Sequence, residues 1–145
     1  MLSEVQCVNY SLQYDETTNA AGKKELQIRV KFSSEKCNMV ISHHLETFFM
    51  GYATSEIILE NIIKALQNAN MPLLKLISIG SDGPNVNKRV FNLLNEEVLK
   101  IQKKGLLDVG TCNIHAMHKT FCKGLEELGE DASDLVLSLH YFFDD

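Results

Sequence analysis

The run Leu73, Leu74, Leu76, Ile77 and Ile79, bounded by Pro72 and Gly80, constrains the fold more than any other stretch of the chain. It is short for a helix, and its near-continuous apolar character predicts a central strand covered on both faces. Gly80, Gly83 and Pro84 then punctuate a turn, and Pro84 suits the first turn of a following helix. Asp82 is thereby placed at the carboxyl end of a central strand, where open α/β sheets collect ligands and metals. Taken alone, an aspartate in that place is more often a plain helix cap.

The rest of the chain supplies partners for this strand. Val8, Tyr10, Leu12 and Tyr14 alternate with polar residues and predict a strand that ends in the polar cluster Asp15–Asn19. Gly22 supplies a turn, and Leu26, Ile28, Val30 and Phe32 alternate in turn, so the two runs predict an antiparallel hairpin. After a second turn over 33–38, Met39, Val40 and Ile41 open a third, shorter strand, with His43 and His44 as a strand-end pair. Phe48, Phe49 and Tyr52 read as core or interface anchors. Thr54, Ser55 and Glu56 start a helix, with Ile58, Ile62, Ala65, Leu66 and Ala69 on its apolar stripe. A second helix follows Pro84, with Val90, Phe91, Leu94, Val98 and Ile101 inward and Gly105 as its stop. Leu106, Leu107 and Val109 predict another short strand, and a helix runs from about Asn113 towards Leu128. The segment Ala132–Phe143 is apolar and aromatic.

This order predicts an α/β fold with a mixed sheet: three antiparallel strands, then helix-linked parallel strands, with helices on the sheet faces. It suits a ribonuclease-H-like architecture, in which Asp15 and Asp82 fall at the ends of adjacent central strands. With 145 residues, one partial domain is expected, its core over about 8–130 and a helical segment over 132–145 leading onward. A formal charge of −5 argues against a free-standing nucleic-acid binder. No apolar run approaches the roughly 18 residues of a spanning helix, so no membrane partner is expected. Cys7, Cys37, Cys112 and Cys122 are not spaced as a disulfide framework. The first residues lack a basic region followed by an apolar core, and an intracellular, reduced setting is the expectation.

Three motifs occur in order: Tyr14-Asp15-Glu-Thr-Thr-Asn19, Gly80-Ser-Asp82-Gly-Pro-Asn-Val-Asn87 and Gly110-Thr-Cys112-Asn-Ile-His115-Ala-Met-His118. Together they resemble the ribonuclease-H-like catalytic core of hAT-superfamily transposases and of the host genes derived from them. The resemblance covers the chain from about Val8 to its end. It implies a two-metal phosphoryl-transfer site of the Asp-Asp-Glu type, with carboxylates holding two cations about 4 Å apart. Asp15 matches the first acid and Asp82 the second, and oxygen ligands suit Mg²⁺ or Mn²⁺. Cys112 and His115 match a Cys-x-x-His motif that helps to place the DNA strand. DNA as partner and the nucleus as location follow from the same resemblance.

The family's third acid, a glutamate after a long helical insertion, has no counterpart in these residues. Glu126, Glu127 and Glu130 lie late in their helix and do not match it. The acid pair is therefore expected to be vestigial, binding a cation weakly, and the chain to be inactive alone. It would then act as a folded interaction or scaffold module, with a protein partner or a second copy. Two other readings stay open: a nuclease core completed by another chain or a longer form, and an unrelated small α/β binding protein whose two aspartates are turn and cap residues.

Other readings of the same residues are weaker. Asp15-x-Thr17-x-Asn19 resembles the metal-adhesion loop of von Willebrand A-type domains, but a strand follows where those place a helix. Cys112, His115, His118 and Cys122 share a helical face, yet one helix cannot wrap four ligands around a single ion, so zinc is not expected there. Cys112 with His115 as a nucleophile pair lacks a third, orienting group.

Overall fold

The computed structural model describes residues 6–81, 85–109 and 113–128, together with Asp134, Leu137 and Ser138. The chain falls into two units, Met1–Thr111 and Cys112–Asp145. The first unit is an α/β fold built on a four-stranded mixed sheet of order β3-β2-β1-β4. The strands are β1 (Tyr10–Thr18), β2 (Lys24–Ser34), β3 (Met39–Met50) and β4 (Leu76–Gly80). Helix α1 (Ser55–Asn68) connects β3 to β4 through a short 3-10 turn, Leu73–Lys75, and α2 (Asn85–Ile101) follows β4.

The hairpin of β1 and β2 is longer than alternation predicts. Asp15 does not end its strand. Pairing continues through Thr17 opposite Glu25 and Thr18 opposite Lys24. The turn is closed by Asn19, whose Oδ1 accepts from the backbone N–H of Ala21 and Lys23, each at 3.0 Å. Gly22 takes φ +73°, a left-handed conformation that glycine adopts at no steric cost.

β3, at 12 residues, is longer than β1 and β2 rather than shorter. Ile28 pairs with Glu46 and Arg29 with His44, so Leu45 is an extra, bulged residue. The bulge reverses the alternation phase in mid-strand, which hides the strand's second half from a period-two reading. His43 and His44 consequently lie in the middle of the strand, not at its end. Phe48 packs against the core, whereas Phe49 and Tyr52 are exposed.

α1 matches its expected stripe. Ile58, Ile62, Ala65 and Leu66 are buried, and Thr54 caps the start by accepting from the N–H of Ile57 at 3.3 Å. With Val90, Leu94 and Val98 of α2, they cover one face of the sheet, formed by Tyr10, Leu12, Tyr14, Leu26, Ile28, Val30 and Phe32. Ile101 departs from expectation: it keeps the helical spacing of Val90, Leu94 and Val98 yet is 55 % exposed, as the last residue of α2.

β4 is shorter than the apolar run, and Ile77 within it is exposed. Tyr10 pairs with Leu76 and Ser11 with Ser78, which leaves Ile77 as a bulge, 42 % exposed. The run Leu106–Val109 supplies a single parallel bridge, Leu107 to Ser78, rather than a full strand. That bridge is held from behind. Asn95 Oδ1 accepts from the N–H of Leu106 at 2.7 Å, and Leu107 N–H donates to the carbonyl of Ile77 at 2.8 Å.

In the second unit, α3 spans Asn113–Leu128, as the sequence predicts. Most of Ala132–Phe143 lies outside the described residues, as do Gly83 and Pro84.

Gly105 is required by this arrangement, since a Cβ there would meet Asn95 Oδ1 at 2.6 Å. Gly105→Ala and Asn95→Ala each break the same bond and are expected to cost about 1–2 kcal/mol. Urea unfolding of a double-mutant cycle should show the double variant no worse than the poorer single one. Fully additive losses would mean that the two residues act independently.

Candidate functional site

The sequence points to the carboxyl ends of β1 and β4, and the described residues frame that place closely. β1 and β4 run parallel, with Leu12 opposite Ile79 and Gln13 opposite Gly80. Side chains alternate along β1. Tyr10, Leu12 and Tyr14 are buried beneath the helices, while Ser11, Gln13 and Asp15 stand on the opposite face. Because Ile77 is bulged, Ser78 of β4 comes onto the same face as Ser11, where it is buried, and its hydroxyl donates to Ser11 Oγ at 2.8 Å. Asp15 is exposed there, opposite Gln27 of β2.

The start of α2 is fastened beside the same stretch of β1. The phenol of Tyr14 donates to Asn87 Oδ1 at 2.7 Å in a buried contact that joins residues 73 positions apart. Ser55 Oγ donates to the carbonyl of Val86 at 3.4 Å, and the Arg89 guanidinium holds Glu56 at 2.7 Å, so α1 also secures this end of α2. The Glu56 carboxyl lies below the usual carboxylate range, first through its own backbone N–H and then through Arg89. Tyr10 anchors the other end of β1, donating to the carbonyl of Pro72 at 3.1 Å, and burial pushes its phenol pKa up.

The connection from Gly80 to Asn85 is thus bracketed. It leaves β4 opposite Gln13 and enters a helix tied to Tyr14. Asp82 belongs to this connection and lies outside the described residues. Asp15 and Asp82 each follow the Gln13–Gly80 pair by two residues.

The remaining predicted site residues belong to the second unit. Cys112 lies outside the described residues, and the side chain of His115, in α3, does also. Glu126 and Glu127 are exposed on α3, and Glu130 lies outside the description. Among the described residues no three His, Cys, Asp or Glu side chains gather to hold a metal ion. Asp15 therefore stands in the description as one exposed carboxylate, an acceptor able to share a cation with further oxygen donors.

The Tyr14–Asn87 bond is a feature that sequence reasoning missed. The signal was present in part. Tyr14 falls on the buried parity of β1, and a buried phenol requires a polar partner. Tyr14→Phe is expected to lower stability by about 1 kcal/mol and to speed amide exchange over residues 86–88. Unchanged exchange there would mean that the bond does not hold the helix start.

No family model matches the chain, and no curated protein matches it. Among solved structures, YeaZ from Pseudomonas aeruginosa is similar at a TM-score of 0.41 and 12% sequence identity, over 72% of this chain and 44% of that one. The chain thus spans less than half the length of that structure.

Proposed function

We propose that this chain is a transposase-derived, ribonuclease-H-like domain in which Asp15 and Asp82 form a remnant two-acid cation site. These residues taken by themselves have no nuclease activity, and the domain serves as a folded interaction or scaffold module. The observation that carries this reading is the bracketing of the Asp82 connection by Gln13–Gly80 at one end and Tyr14–Asn87 at the other. Asp15 and Asp82 each follow the paired Gln13 and Gly80 by two residues in sequence, which supports the reading. The strand order β3-β2-β1-β4, with Leu107 bridging the far side of β4, is further support.

The chemistry follows from the donor set. Two carboxylates side by side repel one another unless a cation or a proton lies between them. Hard oxygen donors suit Mg²⁺ or Mn²⁺, and two of them give weak binding because most of the coordination shell remains water. A full clamp for in-line phosphoryl transfer requires the third carboxylate, to which no residue here corresponds. By resemblance, Cys112 and His115 lie along the path of a DNA strand, DNA or a DNA-bound protein is the partner, and the nucleus is the location.

Amide NMR of the chain with substoichiometric Mn²⁺ tests this reading. Selective broadening is expected over residues 13–17 and 81–85, and it should vanish in both Asp15→Asn and Asp82→Asn. A dispersed spectrum without selective broadening would reduce the two acids to turn and cap residues. A strand-cleavage assay in Mn²⁺ is expected to show no activity. Cleavage that Asp15→Asn abolishes would instead favour a working nuclease core.

A further inference from the structure

α3 carries a pair of side chains that the proposed function leaves unused. His118 and Cys122 are four residues apart, so they lie on one face of the helix, one above the other. His118 Nε2 and Cys122 Sγ are 3.6 Å apart. A tetrahedral zinc ion, with Zn–N of about 2.0–2.1 Å and Zn–S of about 2.3 Å, separates a nitrogen and a sulfur ligand by about 3.6 Å. The pair therefore already has the spacing of two tetrahedral ligand positions. His118 is exposed and Cys122 half-buried, so an ion can reach both.

The objection to zinc on this helix concerns four ligands from one continuous segment. It does not apply to two ligands one turn apart, which occupy one side of the ion and leave the other side open. Among the described residues no third His, Cys, Asp or Glu joins the pair, and two positions on the ion are left to be filled. A second copy fills them without any new residue type. A two-fold axis brings the same patch onto itself, so each chain contributes one nitrogen and one sulfur. The neighbouring surface suits that contact. Met117 and Phe121, beside the pair on α3, are 73% and 58% exposed, and an antiparallel pairing of two α3 helices would cover them.

We propose that His118 and Cys122 form half of a zinc site, completed as a two-His, two-Cys tetrahedron by the same pair from a second copy of this chain. Cys122 binds as the thiolate and gives its proton to solvent; His118 binds through Nε2 as the neutral imidazole. Zinc neither gains nor loses electrons, so the step needs no other reactant. The inference rests on α3 alone and is independent of the acid pair.

Co²⁺ replaces Zn²⁺ with a visible spectrum and serves as the probe. Titrating the full chain under reducing conditions should give thiolate-to-cobalt charge transfer and tetrahedral ligand-field bands. These should saturate at one metal per two chains, with a matching shift from monomer to dimer in sedimentation velocity and displacement by Zn²⁺. Cys122→Ser should remove the charge-transfer band, and His118→Ala should weaken binding at least tenfold. Both positions are accessible on a helix surface, and far-UV circular dichroism should be unchanged. Cys37→Ser, in the turn between β2 and β3, should leave the spectrum intact. The proposal is overturned by the absence of a thiolate band, by a band that survives Cys122→Ser or is lost in Cys37→Ser, or by saturation at one metal per monomeric chain.

Discussion

The parallel pairing of β1 with β4 is the constraint on which the rest of the first unit depends. Its partners are separated by the whole of β2, β3 and α1, and such a pair forms late and gains little from its own few ladder bonds. What stabilises it is the apolar face it completes. Leu76 and Ile79 continue the surface of Tyr10, Leu12 and Tyr14 beneath α1 and α2. Burial of each large aliphatic side chain contributes roughly 1.5–3 kcal/mol, so a handful of them offsets the closure entropy, which rises only slowly with loop length. The register is then fixed by face. A slip of β4 by one residue would turn Leu76 and Ile79 away from the helices. The bulge at Ile77 is part of that solution, since it lets Leu76 and Ile79 both reach the helices while Ser78 meets Ser11.

Fastening the start of α2 to β1 is a separate matter, and it gives the site its interest. An exposed aspartate such as Asp15 costs nothing to keep in water and by itself says little. The meaning lies in what surrounds it: a strand partner that ends two residues earlier, and a helix whose first turn is bonded to the adjacent Tyr14.

Much of this was legible in the sequence, for identifiable reasons. Tyr10, Leu12 and Tyr14, and Leu26 through Phe32, alternate because one face of the sheet packs beneath α1 and α2 while the residues between them carry polar side chains. Ile58, Ile62, Ala65 and Leu66 fall at helical spacing because α1 lies flat on the sheet. The misreadings share a cause: period-two reasoning fails where a strand is bulged or where its side chains lose contact with the core. Asp15–Thr18 remain in β1 although they bring little apolar signal, because Gln27 to Lys24 pair with them. The bulge at Leu45 splits β3 into two phases, so its first half alone read as a strand. Ile77 was counted as core because composition cannot reveal a bulge. The Tyr14–Asn87 bond spans 73 positions. A contact of that kind is a product of the fold, and local pattern could supply no more than the need for a partner.

The two surfaces of the chain that invite association differ in how well they are guarded. β3 is an edge strand of 12 residues, the kind of feature that recruits other strands. Its bulge at Leu45 interrupts the flat row of backbone groups that a new strand would need, and it separates exposed Val40 from exposed Phe49. Glu46, just beyond the bulge, is held by Asn68 of α1 at 3.1 Å, which puts a charge at the break. These are the devices by which natural sheets resist edge-to-edge pairing. α3 has no such device on the side that carries Met117 and Phe121. Instead it offers, one turn apart, an imidazole and a thiol at tetrahedral spacing. Apolar contact alone is undirected, whereas a metal fixes both the number of partners and their angle. Association through α3 by coordination is therefore the better-defined of the two routes, since two thiolates and two imidazoles complete the zinc shell and no position is left for a third chain.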